Sequence, residues 1–414
     1  MGSTGFVARF LKPCAVAAFL VMLAGCGAGG SSIGASTSSG IDTDLVVADI
    51  DGDGRADVLV VAAVGPAAQR AGRLLVYRQT AAGVFAAPQT TTVGRYPWQL
   101  AVGDIDGDGR QDIVVPDVDA DVVWMLLQDP ARPGEFRAPE ALFSGVKSYS
   151  AAIADLNHDG APDVAMAGGS GSTVRIRFQD PAARGKFAPE VRVSLPGTSA
   201  NLAAGDVDGD GLVDLLVWVY TSGSAWPVTG GLVVLFQQPG GGFVDSGLLS
   251  PQTGLHADEL AISNAGADGR RDLLAFLSPS SADYTARFVV VPQTAARVFG
   301  SPVSTSLAGL SVEGAAFADL NQDGVADAAL SNAWGEVHQG VPESEQRVSV
   351  MLNNGAGSFA VASYIVRPSW VTLVTAGDVD GDGRNDIVFY ENDQGYQMLQ
   401  TASPGVFMPP RALR

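Results

Sequence analysis

A nine-residue segment rich in aspartate and glycine occurs seven times along this 414-residue chain, and its spacing constrains the fold more than any other feature. The first copy is Asp49-Ile50-Asp51-Gly52-Asp53-Gly54-Arg55-Ala56-Asp57, and the others begin at Asp104, Asp155, Asp206, Asn264, Asp319 and Asp378. The intervals are 55, 51, 51, 58, 55 and 59 residues. A period of this size marks a repeat architecture with one supersecondary unit per repeat.

The loop has a chemistry of its own. Side-chain oxygens fall at positions 1, 3, 5 and 9, and position 7 can add a backbone carbonyl. The acids are Asp49, Asp51, Asp53 and Asp57 in copy one, and Asp104, Asp106, Asp108 and Asp112 in copy two. Copy four has Asp206, Asp208, Asp210 and Asp214, and copy seven has Asp378, Asp380, Asp382 and Asp386. Copies three (Asp155, Asn157, Asp159, Asp163) and six (Asp319, Asn321, Asp323, Asp327) keep an oxygen at position 3 by using Asn. Glycine at position 6, and at position 4 except for His158, Ala267 and Gln322, allows the loop to curl. Four carboxylates in nine residues repel unless a cation lies among them. An all-oxygen set on a flexible loop suits Ca²⁺, and acids alternating at 1, 3 and 5 also open an EF-hand loop. Copy five, Asn264-Ala265-Gly266-Ala267-Asp268-Gly269-Arg270-Arg271-Asp272, lacks a side chain at position 3 and adds positive charge. The expectation is six calcium sites, with the fifth loop empty or weak. These loops hold 24 of the 35 Asp, against 9 Glu in the whole chain, so they account for the acidic excess.

Short apolar runs flank each loop, such as residues 45–48 before and 58–61 after the first, and read as strands. A third run follows, then a turn with a recurrent Phe (85, 136, 187, 243, 299, 359 and 407), then a fourth. Just before each loop, position −3 is mostly Ala, −1 is always Ala, Gly or Ser, and −2 and −4 are mostly larger. That alternation places the first strand innermost, wedged between neighbours. The predicted fold is all-β: a seven-bladed β-propeller of four-stranded blades with Asp-rich calcium loops. It spans residues 43–414 and leaves no room for another domain. No exchanged strand is evident between first and last blades, which leaves open whether residues 30–42 supply one.

These loops, with the looser Phe-centred part, resemble the FG-GAP/VCBS repeat family, whose propellers include the integrin α-subunit head. The resemblance covers nearly all of residues 43–414, although the family's Phe-Gly and Gly-Ala-Pro signatures are only partly present. It implies calcium in the hairpin between strands 1 and 2 of each blade, and ligand recognition on the opposite face.

Both cysteines lie in the first 26 residues, so neither a disulfide nor thiol chemistry is available to the body of the chain. Arg9 and Lys12 precede an apolar run, residues 15–23, too short to span a bilayer and suited to a signal peptide. It ends in Leu23-Ala24-Gly25-Cys26, which looks like a bacterial lipobox. That implies a signal peptide over 1–25, lipidation of Cys26, and a Gly/Ser tether over 26–42. Gly27 fits outer-membrane sorting, so the expected location is the cell envelope, facing the periplasm or the surface.

A net charge of −19 excludes nucleic acid as a natural partner. Trp98, Tyr149, Asp258 and Glu313, six residues before their loops, and Trp334, in a long loop between strands, are the candidates for ligand contact. Aromatics mixed with acids suit a glycan or a protein ligand. Three histidines and no nucleophile or phosphate-binding motif argue against an enzyme. The expected function is a non-catalytic, calcium-stabilised binding protein anchored to the membrane by lipid, acting in adhesion or in glycan or protein recognition. The alternatives are a structural subunit of an envelope assembly and, less favoured, a polysaccharide-acting enzyme.

Overall fold

The computed structural model describes residues 40–413, except 170, 222–228, 280–284, 309, 311 and 333–345. The signal peptide, Cys26 and nearly all of the tether fall outside the described residues, as do Trp226, Tyr284, Trp334 and His338.

Seven antiparallel sheets form a seven-bladed propeller. Blade one contains Gly40–Ala48, Asp57–Val64, Ala71–Tyr77 and Gln89–Thr92 in that spatial order. Its first strand begins three residues inside the segment expected to be tether. Blade seven is built from Val371–Gly377, Asp386–Glu391, Gln394–Met398 and Arg411–Ala412. Each sheet is contiguous in sequence, so among the described residues the ring closes without exchanging a strand. Blade four adds a fifth segment, Leu249–Thr253, beside its third strand.

The second strands are the centre of the core. Val58, Leu59, Val60 and Val61 are all fully buried, as are Leu215, Leu216 and Val217 in blade four. Both faces of these strands meet other blades, so their sequences are continuous apolar runs rather than alternating ones. From blade two round to blade one, the first strands of adjacent blades touch around the axis, including those of blades seven and one. The small residues at position −1 explain the wedge. A Cβ added to Gly103 would lie 3.1 Å from Ile153 Cγ2, and one on Gly205 would lie 3.3 Å from Ile262 Cδ1. Gly377 faces Val47 in the same way across the closure.

Each recurrent Phe fills the junction with the preceding blade. Phe85 is buried with Tyr390 and Leu399 between blades one and seven, and Phe359 with Phe276 and Phe288 between blades six and five. The Tyr77 and Tyr390 hydroxyls meet at 3.1 Å in the closing junction.

Candidate metal centres

The seven Asp-rich loops join first to second strands at one rim. Position 6 is glycine with φ between +78° and +86° in all seven. His158, Ala267 and Gln322, the non-glycine residues at position 4, also adopt positive φ, so the loop conformation outlasts the loss of its preferred residue. The first-position carboxylate shapes the turn. Asp49 accepts from the amides of Gly52 (2.8 Å), Asp53 (3.1 Å) and Gly54 (2.9 Å). Asp378 repeats this in loop seven.

The ninth position begins every second strand and is buried in every copy. One oxygen of Asp57 accepts from Ile50 N and the other from Gln79 N. All seven copies make this pair of bonds, at 2.7–3.0 Å, tying the loop to the end of the third strand. Burial raises six of these carboxyls against the opposing pull of the backbone amides: Asp57, Asp112, Asp214, Asp327 and Asp386 to about 6, and Asp163 to about 7.

The partner of this aspartate is a residue that inspection of the loops alone overlooks. Gln79, Gln128, Gln179, Gln237, Gln293, Asn353 and Gln400 are all buried at the end of a third strand. Six of them donate a side-chain amide to the second-position carbonyl of the preceding blade's loop. Gln128 reaches Ile50 O at 2.5 Å, Gln179 reaches Ile105 O at 2.6 Å, and Gln79 reaches Val379 O at 2.6 Å, closing the ring. Gln293, Asn353 and Gln400 do the same. Gln237 differs: its Nε2 has no partner among the described residues, and its Oε1 accepts from Val213 N. The signal was present, since each amide residue stands six to eight positions before a recurrent Phe.

Three acids gather closely enough to share a cation in four loops: Asp49, Asp51 and Asp53; Asp104, Asp106 and Asp108; Asp206, Asp208 and Asp210; Asp378, Asp380 and Asp386. In each, the ligand oxygens lie within 4.8 Å of one another. Asp51, Asp106 and Asp380 are pushed up from the ordinary carboxylate range, first by burial and then by neighbouring acids. Asp380 Oδ1 is buried without a hydrogen-bond donor, an orphaned oxygen aimed among like charges. Hard oxygens, crowding and an unsatisfied acceptor fit a calcium ion. In loops three and six the Asn side chain eases the repulsion internally, with Asn157 Nδ2 donating to Asp159 at 3.0 Å and Asn321 Nδ2 to Asp323 at 2.9 Å. Loop five has no such cluster among the described residues. Asp268 pairs with Arg270, and Asn264 Nδ2 donates to Gly324 O of loop six. Loop four is crossed by Arg297 of blade five, which donates to Asp208 and Asp210.

At the other end of the first strands, Trp98 and Tyr149 come together across blades two and three. Their rings meet edge to face at 5.8 Å, and Tyr96 meets Trp98 similarly at 5.6 Å. The Arg70 guanidinium lies 4.3 Å from the Tyr96 ring centroid and pairs with Asp119. Asp117 organises this segment from beneath, accepting from the amides of Arg95 and Tyr96 and from Trp124 Nε1. Asp258 and Glu313 lie apart, in blades five and six. Asp258 is engaged by Ser278 Oγ and faces His256 Nε2 at 3.5 Å.

Six residues before the loop, strand pairing is irregular in four of the blades. Pairing shifts register at or beside this position in blades one, four, five and seven. Adjacent side chains at such a bulge depart from strict alternation. Several of the next residues along are clasps rather than free surface. Asp44 accepts from Leu100 N at 2.7 Å, Gln99 from Ala151 N at 3.0 Å, and Asn201 donates to Asp258 O at 3.0 Å.

A family model for the FG-GAP-like repeat matches residues 49–115, 155–217 and 339–389. No curated protein sequence matches the chain. Among solved structures, the exotype rhamnogalacturonan lyase YesX is similar at a TM-score of 0.52 and 14% identity, over 86% of this chain and 71% of that one. A protein from Lactobacillus plantarum is similar at a TM-score of 0.50 and 14% identity, over 83% and 91%. At such identities the likeness is one of fold. The matched repeats, the seven blades and the loop between first and second strands agree: the chain is a seven-bladed β-propeller carrying FG-GAP-like repeats.

Proposed function

We propose that this is a calcium-stabilised, non-catalytic binding propeller of the bacterial cell envelope, held to the membrane by lipid on Cys26, with its ligand on the face that carries Trp98 and Tyr149. The observation that supports it most is the division of the molecule. Acid clusters suited to calcium lie at one end of the first strands, and the Tyr96–Trp98–Tyr149 run lies at the other. Aromatic edges and faces beside a guanidinium and a carboxylate offer stacking and hydrogen bonds to a sugar ring or a peptide. The likeness to a rhamnogalacturonan lyase makes that polysaccharide a sensible member of the panel and assigns no role to any residue here.

The test uses the purified chain on a glycan array and in pull-downs from envelope extracts. A glycan signal reduced at least tenfold by Trp98→Ala supports recognition at this face. A stable protein partner without a glycan signal turns the reading toward a subunit of an assembly. Cleavage of any polysaccharide in the array overturns the non-catalytic part. Incorporation of a labelled fatty acid, abolished by Cys26→Ser, tests the anchor.

A further inference from the structure

Loop four has the four acids of loops one, two and seven and the same turn. The amides of Gly209 and Gly211 donate to Asp206 at 2.7 and 3.0 Å, as those of Gly52 and Gly54 do to Asp49. What differs is the hairpin contributed by the next blade. After each third strand, the residue two before the recurrent Phe is left-handed. Six blades use glycine there: Gly83, Gly134, Gly185, Gly241, Gly357 and Gly405, with φ from +65° to +83°. Blade five uses Arg297, at φ +60°, a conformation an L side chain disfavours.

The hairpin explains where that side chain goes. In blades two and three, a Cβ built on Gly134 or Gly185 would lie 3.3 or 3.5 Å from the Cβ of Asp51 or Asp106, the third position of the preceding blade's loop. Arg297 therefore starts beside the third position of loop four. Its Nε donates to Asp208 and its Nη2 to Asp210 at 3.0 Å, while the guanidinium carbon lies 4.8 Å from the Phe236 ring centroid. Phe236 stacks in turn on Phe299 of the same hairpin. The Asp208 side chain is only 3% exposed. Arg55, Arg110 and Arg384 behave differently: each belongs to its own loop and pairs with the fifth-position acid alone.

We propose that Arg297 is a tethered cation that takes the place of calcium in loop four, so that this loop binds no calcium while loops one, two and seven do. The inference rests on the calcium reading above. A planar fork satisfies two carboxylates at once, and it is fixed in place by the hairpin and an aromatic face. Its effective concentration at the site is that of an intramolecular group, and a loop of the extracellular kind, binding calcium at roughly 10⁻⁴–10⁻³ M, does not displace it.

The experiment counts bound calcium by elemental analysis of the full chain after dialysis against millimolar CaCl₂. Arg297→Gly restores the residue of the other six blades and should bind one more calcium per chain than the unaltered protein. Asp208→Ala, made in the unaltered chain, should leave the count as it was, whereas Asp51→Ala should lower it by one. A count unchanged in Arg297→Gly, or lowered by one in Asp208→Ala, overturns the inference and leaves the calcium reading standing. A chain that binds no calcium at all overturns both.

Discussion

Loops five and seven have the same backbone course and opposite electrostatics. Loop seven brings Asp378, Asp380 and Asp386 together around an orphaned carboxylate oxygen. Loop five has Asn264 and Gly266 at its first and third positions, yet Asp272 still accepts from Ala265 N at 2.9 Å and Gln293 N at 2.8 Å, as Asp386 does from Val379 N and Gln400 N. Two tasks are therefore superimposed on one nonapeptide. Positions 1 and 3, joined by 5 or by 9, gather charge, and loop five keeps its blade with no acid at 1 or 3. Position 9 welds the loop to the third strand, and no copy has lost it.

The sharpest way to break this separation is to remove the weld where no metal is expected. Asp272→Ala strands two buried amides and should cost about 2–4 kcal/mol in urea unfolding, with bound calcium unchanged. Asp386→Ala should cost at least as much and also lower the calcium count. If Asp272→Ala unfolds like the unaltered chain, position 9 has no architectural task of its own.

Removing the ions tests the other half. Binding to the folded state alone contributes about 2.7 kcal/mol per site at a free calcium concentration one hundred times the dissociation constant. Chelation should lower the melting temperature of the unaltered chain by several degrees, and by less after Asp380→Asn. A melting temperature indifferent to chelator removes calcium from the account of stability.

The smallest effect concerns the amide ring. Gln128→Leu leaves Ile50 O and Gln111 O without their donor and should cost about 1–2 kcal/mol. Gln237→Leu, at the position whose Nε2 has no partner among the described residues, should cost less. Equal costs would mean that the inter-blade bond contributes nothing.

The blade count, the loop and its decayed fifth copy, the innermost first strand and the recurrent Phe were all legible in the sequence, because each is a local pattern repeated in register. The buried amides were not read. Gln79 lies 22 residues after Asp57 and Gln128 only 16 after Asp112, so the variable connection between second and third strands hides the pairing when copies are aligned on the loop. Alignment on the Phe exposes it, and also exposes Arg297 at a glycine position. The face carrying Trp98 resisted prediction for a different reason. Register shifts in four blades interrupt strand alternation on that face, and polar side chains such as Asp44 and Gln99 clasp the next blade there.

The ring of amides also bears on how the propeller forms and comes apart. Six junctions join blades consecutive in sequence and can assemble progressively as chain becomes available. The seventh joins Gln79 to Val379 and Tyr77 to Tyr390, contacts separated by 300 and 313 residues. Nearly the whole chain must be ordered before that junction forms, so its contacts come late to folding and are the first whose loss restores freedom to the entire chain. The closing junction is thus the place where the lifetime of the folded state is decided, and strengthening it should slow unfolding with little effect on the rate of folding.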